Sequence, residues 1–114
     1  MAKWALLGYT DCTDSAREGE FNEWYDKVHL PDVLQLPSFV SATRYVNIDP
    51  KVTSDKFLAI YEVESDDIDK TVETLKKRGA QLRDQGRLTD LLIIGPIAVY
   101  RQLSSMTSEP LRVD

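Results

Sequence analysis

The sequence predicts an α+β domain: one four-stranded antiparallel sheet with two helices packed on one of its faces. Three observations carry that expectation. Strand-like and helix-like stretches follow one another in the order strand, helix, strand, strand, helix, strand. Each strand stretch carries apolar residues on both parities, as in a sheet covered on both sides. The chain has 114 residues, the size of one domain with a core of its own.

Trp4 to Thr10 is the first strand, with Trp4 and Leu6 on one parity and Ala5, Leu7 and Tyr9 on the other. Asp11 to Ser15 carries turn and cap chemistry, and either Asp14 or Ser15 is placed to cap a helix running to His29. Within that helix Phe21, Trp24, Tyr25 and Val28 fall at i, i+3, i+4 and i+7, an apolar stripe that suits a core. Pro31 biases Leu30 away from helical geometry, so the helix is expected to break after the histidine. A short second piece, Asp32 to Leu36, then ends at Pro37.

Phe39 to Ile48 reads as the second strand, in which Arg44 is the odd polar member of an apolar side. Asn47 to Asp55, with Asp49-Pro50, is a hairpin loop, and Lys56 to Glu64 is the third strand. Ser65-Asp66-Asp67 opens the second helix as a capping serine followed by carboxylates that suit the helix dipole. Its apolar side runs Ile68, Val72, Leu75, Gly79, Leu82, and Gly86 marks the stop. Lys76, Lys77 and Arg78 read most simply as a solvated face, with a surface for an anionic ligand or partner as the alternative. Leu91 to Gln102 is the last strand, and Pro96 within it requires a sheet edge or a bulge. The domain is expected to span residues 1–103. Residues 104–114 lack periodicity and form a flexible tail or an arm laid on a neighbour.

This element order is the split βαβ, ferredoxin-like βαββαβ arrangement. Helices cover one sheet face, yet the other face is also apolar, and the simplest cover is a second copy of the chain. Two such sheets face to face close a dimeric α+β barrel, so a homodimer is expected.

Composition narrows the function classes. Fourteen basic and nineteen acidic residues leave a net charge of −5, which argues against nucleic acid as a partner. One cysteine, Cys12, and one histidine, His29, supply neither an intrachain disulfide nor a usual zinc site, so no metal is expected. Cys12 reads as an inert thiol. The short apolar run after Met1 is too brief for a signal peptide and no stretch reaches membrane-spanning length, so the expectations are no membrane partner and residence in the cytoplasm. No short-period repeat or GxGxxG pattern occurs.

His29 is the chemical candidate. Tyr25 lies one helical turn before it, and the carboxylates of Asp26 and Asp32 flank it, so its proton exchange falls near neutral pH on this reading. The alternative is a hydrogen-bonded structural histidine, for instance one that holds the helix break together.

The run Glu20-Phe21-Asn22-Glu23-Trp24-Tyr25-x-x-x-His29-Leu30-Pro31-Asp32-Val33-Leu34, followed by Pro37-Ser38-Phe39-Val40-Ser41-Ala42-Thr43-Arg44-Tyr45, resembles the dimeric α+β barrel superfamily, in particular its EthD-like branch. Ser38 stands where such patterns often have glycine. The resemblance implies a small-molecule enzyme without cofactors, with an apolar pocket between sheet and helices. The implied chemistry is that of a lyase, isomerase or cyclase on a small cyclic or aromatic substrate. A cofactor-free monooxygenase of phenolic or anthrone-type substrates and a non-catalytic ligand-binding or structural dimer are the alternatives. On this model His29 is the general acid or base. Tyr9, Tyr25, Tyr61 and Arg44 hold a carbonyl or enolate, and Trp24 walls the pocket or simply packs. Against this stands the plainer reading of each tyrosine as a core residue with a satisfied hydroxyl, and of Arg44 as the partner of an acid across the dimer.

Overall fold

A computed structural model of the chain describes residues 1–49, 51 and 55–111, so Pro50 and residues 52–54 of the expected hairpin loop and residues 112–114 of the expected tail lie outside the described residues. The elements are β1 (Ala2–Cys12), a 3₁₀ turn (Ser15–Arg17), α1 (Glu18–Trp24), a π turn (Tyr25–His29), α2 (Leu30–Leu34), β2 (Phe39–Val46), β3 (Phe57–Ser65), α3 (Ile68–Asp84) and β4 (Leu92–Arg101). The sheet order is β2-β3-β1-β4 with every pairing antiparallel, the ferredoxin-like arrangement expected from the element order.

Register assigns the faces. Leu6 lies opposite Tyr61, and Leu7 opposite Ile60. Leu6 and the whole set Phe57, Ala59, Tyr61 and Val63 are buried under the helices. Phe21 anchors that layer: it is fully buried, with ring centroids 5.3 Å from Phe57 and 5.7 Å from Tyr25. The opposite face carries Leu7, Leu58 and Ile60, extended by Tyr45 and Tyr100, which are 53% and 58% exposed. No helix covers it.

Pro96 sits as its missing donor requires. β4 is a sheet edge, and its register against β1 shifts between Gly8 and Thr10. At this bulge Gly95 passes so close to β1 that a Cβ there would lie 2.7 Å from the Tyr9 carbonyl oxygen. Beyond Arg101 the described residues of the tail have no regular structure and are exposed.

Two local expectations are corrected. The chain does not break after His29, and the second helical piece is Leu30–Leu34 rather than Asp32 to Leu36. Proline lacks the donor for one helical bond and its ring crowds a carbonyl one turn back. Widening the preceding turn into a π turn accommodates both, and the helix carries on into α2. The cap of α3 is Asp67, whose side chain accepts from the Lys70 N–H, and not Ser65. The Ser65 hydroxyl instead accepts from the Asp67 N–H and is bonded to the Thr71 hydroxyl at 2.7 Å. The stop at Gly86 stands: its φ is +70°, and the Gly86 and Arg87 N–H groups donate to Arg83 and Leu82 carbonyls, a Schellman closure.

Candidate active site

The widened turn aims His29. Its ring stacks on Trp24 at 5.0 Å and meets the Tyr25 ring edge-on at 4.9 Å. The Trp24 indole N–H donates to the Arg87 carbonyl at 2.9 Å, which fixes the surface that supports the imidazole. His29 makes no side-chain hydrogen bond among the described residues, and its Nδ1 is sealed from solvent. One form of the structural alternative was a histidine bonded across a helix break. Neither the bond nor the break is present among the described residues.

His29 borders a cavity of about 330 Å³ that lies between the sheet and α3 and is partly open to solvent. Leu6, Gly8 and Thr10 of β1, Tyr61 of β3 and the bulge of β4 form its floor, and α3 forms its roof. The lining is mostly apolar, and its inner polar groups are few: His29, Thr10, Tyr25 and Tyr61. The Thr10 hydroxyl is buried without a partner of good geometry among the described residues. It faces the Tyr25 phenol, and a buried hydroxyl whose bond is poorly formed is available in a cavity wall to a ligand oxygen.

Burial drives the electrostatics. It holds the His29 imidazole down to about 4, against a smaller upward pull from Asp32 and with a further push from the Arg44 charge. The expected tuning near neutrality is thereby corrected: the ring is neutral at pH 7, because its desolvation outweighs the nearby carboxylate. Asp26 is turned to Arg44 at 2.9 Å, and both oxygens of Asp32 accept from Arg87 at 2.9 and 3.0 Å. That pairing holds the Asp32 carboxyl below its ordinary value. Burial raises Tyr25, with the Tyr61 hydroxyl, Arg44 and the Thr10 hydroxyl opposing. It also raises Tyr61 well above a normal phenol, helped by Tyr25. Both phenols are therefore donors at neutral pH.

The remaining sequence candidates separate by position. Tyr9 borders the cavity, although by alternation it belongs to the parity opposite Gly8 and Thr10. Trp24 and Arg44 do not border it. Trp24 lies behind His29. Arg44 lies over the Tyr25 ring, 4.2 Å from its centroid, and donates to Asp26 and Asn22, so its partners are within its own chain. It straps β2 to the first helix and acts on the site through its charge. Sequence reading missed Thr10, an ordinary strand residue until its hydroxyl is seen buried in the cavity wall beside Tyr25. It also missed the cavity-facing side of α3. Among the described residues no three His, Cys, Asp or Glu side chains cluster to hold a metal ion, and no helix is long and apolar enough to cross a membrane.

No protein-family model and no curated protein sequence matches this chain. Solved structures do. The chain is similar to HapK from Hahella chejuensis, at 12% identity over 94% of this chain and 99% of that one, with a TM-score of 0.64. It is similar to SnoaB, a cofactor-independent oxygenase from Streptomyces nogalater, at 11% identity over 97% and 100% of the two chains, TM-score 0.60. An ethyl tert-butyl ether (EthD) family protein from Bacillus halodurans C-125 follows at 14% identity over 86% and 97%, TM-score 0.52. At these identities the likeness establishes the ferredoxin-like α+β fold, and the EthD-like branch rests on the sequence motif alone.

Proposed function

We propose that this protein is a cofactor-independent oxygenase of a small, electron-rich phenolic or anthrone-type substrate, with His29 as the base. One observation carries the reading: a neutral imidazole, without hydrogen bonds among the described residues, borders a largely apolar cavity of about 330 Å³ beside two protonated phenols. The structural likeness to the oxygenase SnoaB favours oxygen chemistry over the lyase or isomerase chemistry first expected.

In this mechanism His29 takes a proton from the activated methylene of the substrate, and the Tyr25 and Tyr61 hydroxyls stabilise the negative charge on the conjugated oxygen. The imidazole is a weak base in the empty cavity. Once the substrate is an anion beside it, the opposite charge in an apolar enclosure raises the imidazolium and keeps the proton in place. The electron-rich anion passes one electron to O₂, the resulting radicals join as a peroxide, and loss of water leaves a carbonyl. A methylene and one O₂ give one ketone and one water, with no outside reductant.

The test is turnover of 1,8-dihydroxyanthrone in an oxygen electrode by the unaltered protein and by His29→Gln, with folding checked by circular dichroism. One O₂ should be consumed per anthrone, with a rate reduced roughly 10²-fold or more in the variant, the range for loss of a general base. Full activity in folded His29→Gln overturns the assignment. Turnover of a cyclic ketone that proceeds equally without oxygen would favour an isomerase or lyase.

A further inference from the structure

Two cations of the helix that roofs the cavity border it without a structural partner among the described residues. Of the basic run, Lys77 pairs with Glu73 at 3.1 Å, and Arg78 is tied to the Asp32 carbonyl, Gln35 and Gln81. Lys76 is in neither set. It lines the cavity, as does Arg83, and among the described residues neither makes an ion pair or a side-chain hydrogen bond. Both are exposed, so they stand where the cavity opens to solvent. Seven positions apart, they are about 10 Å from each other along the helix.

Between them lie Gly79 and Ala80, which also line the cavity. A Cβ added at Gly79 would meet nothing within 4 Å. The roof is therefore open at its middle and flanked by positive charge on both sides. Deeper in, the buried Thr10 hydroxyl, which faces the Tyr25 phenol without a well-formed bond, marks where a neutral oxygen would be received. All this sits on a chain of net charge −5, in which an unneutralised pair of cations beside an apolar hollow is a local exception.

We propose that Lys76 and Arg83 form an anion-reading mouth, so that the ligand is an apolar ring body bearing an ionised acidic group such as a carboxylate or sulfonate. The ring body fills the cavity, its keto or hydroxyl oxygen meets Thr10 and the buried phenols, and its acidic group stays at the opening between the two cations. This rests on the reading of the cavity as the substrate site. It adds that neutral ring compounds are poorer ligands than their acids.

The experiment is fluorescence titration with two matched probes, 8-anilinonaphthalene-1-sulfonate and its neutral counterpart N-phenyl-1-naphthylamine, against the full chain. Lys76→Gln/Arg83→Gln should weaken the sulfonate about tenfold, in keeping with two partly screened charges, and the neutral probe less than about twofold. Raising the salt concentration should weaken the sulfonate with the unaltered protein and have little effect with the double variant. Gly79→Leu, which fills the roof gap, should weaken both probes. An equal loss for both probes, or none for the sulfonate, overturns the mouth. Sulfonate binding that survives Gly79→Leu also overturns it, since the probe then sits on the open sheet face. The readout is binding without turnover, so a negative oxygen-uptake result leaves this test standing, and a negative result here leaves the assignment of His29 standing.

Discussion

Replacing Arg44 by methionine decides whether that residue binds substrate or holds the scaffold. Its side chain is 13% exposed, with the guanidinium 4.2 Å from the Tyr25 ring centroid and bonds to Asn22 and Asp26. A partly desolvated cation–π contact contributes about 1–2 kcal/mol. The bond to Asn22 adds about 1 kcal/mol, and the pair with exposed Asp26 less than that. Against this, methionine removes an Nε that is buried without a partner, which returns about 1 kcal/mol. The net expectation is a loss of about 2 kcal/mol in urea denaturation at pH 7, a fall of roughly 8 °C in Tm for a chain of this size. Because the Arg44 charge also depresses His29, the same variant should move the imidazole's titration upward. Arg44→Lys keeps the charge and should leave that titration nearly in place while losing part of the stability. A variant within about 0.5 kcal/mol of the parent that has lost ligand binding would refute the scaffold role and place Arg44 among the substrate contacts.

Three further outcomes are expected. His29 is neutral in the folded chain down to about 4, whereas the unfolded chain takes up that proton near 6.5. Its contribution to stability is thus intact above pH 6.5 and is lost as the pH falls toward 4, about 3 kcal/mol in all. Urea titrations at several pH values should show this loss in the parent and lack it in His29→Gln. Ser38 has a φ of +77°, where a side chain costs about 1–2 kcal/mol and glycine does not, so Ser38→Gly should stabilise the chain by about 0.5–1 kcal/mol after glycine's own entropy, measured as a rise in Tm. The uncovered face around Leu7 and Ile60 is expected to pair with a second copy. Sedimentation should then give a dimer that Leu7→Glu/Ile60→Glu converts to a monomer, and a parent that runs as a monomer would contradict it.

The order of elements was legible because alternation, caps and prolines are local signals, and they located all four strands and both helical regions. Local signals also singled out His29 beside an aromatic stripe. What they could not reveal depends on residues distant in sequence. Arg44 looked like a ligand-holding cation because its partners Asn22 and Asp26 lie about twenty positions away, on the first helix. Asp32 looked like a tuner of the histidine because Arg87, which takes both its oxygens, lies 55 positions on. The depth of His29, and so its neutrality, follows from its place beside the cavity between the sheet and α3, which no periodicity displays. The π turn escaped because a proline after a histidine reads as a break unless the preceding turn is known to widen. Ser38 shows the reverse: the departure from glycine visible in the sequence falls on the one positive-φ position among the described non-glycine residues.

The account depends on a neutral, enclosed imidazole, and a chain with a single histidine permits a direct reading of it. Titration of the His29 ring nitrogens by ¹⁵N nuclear magnetic resonance should show a neutral imidazole throughout the physiological range and a midpoint at about 4. A midpoint at 6.5 or above would mean a ring open to water, and the proposed base would not be the group the cavity encloses.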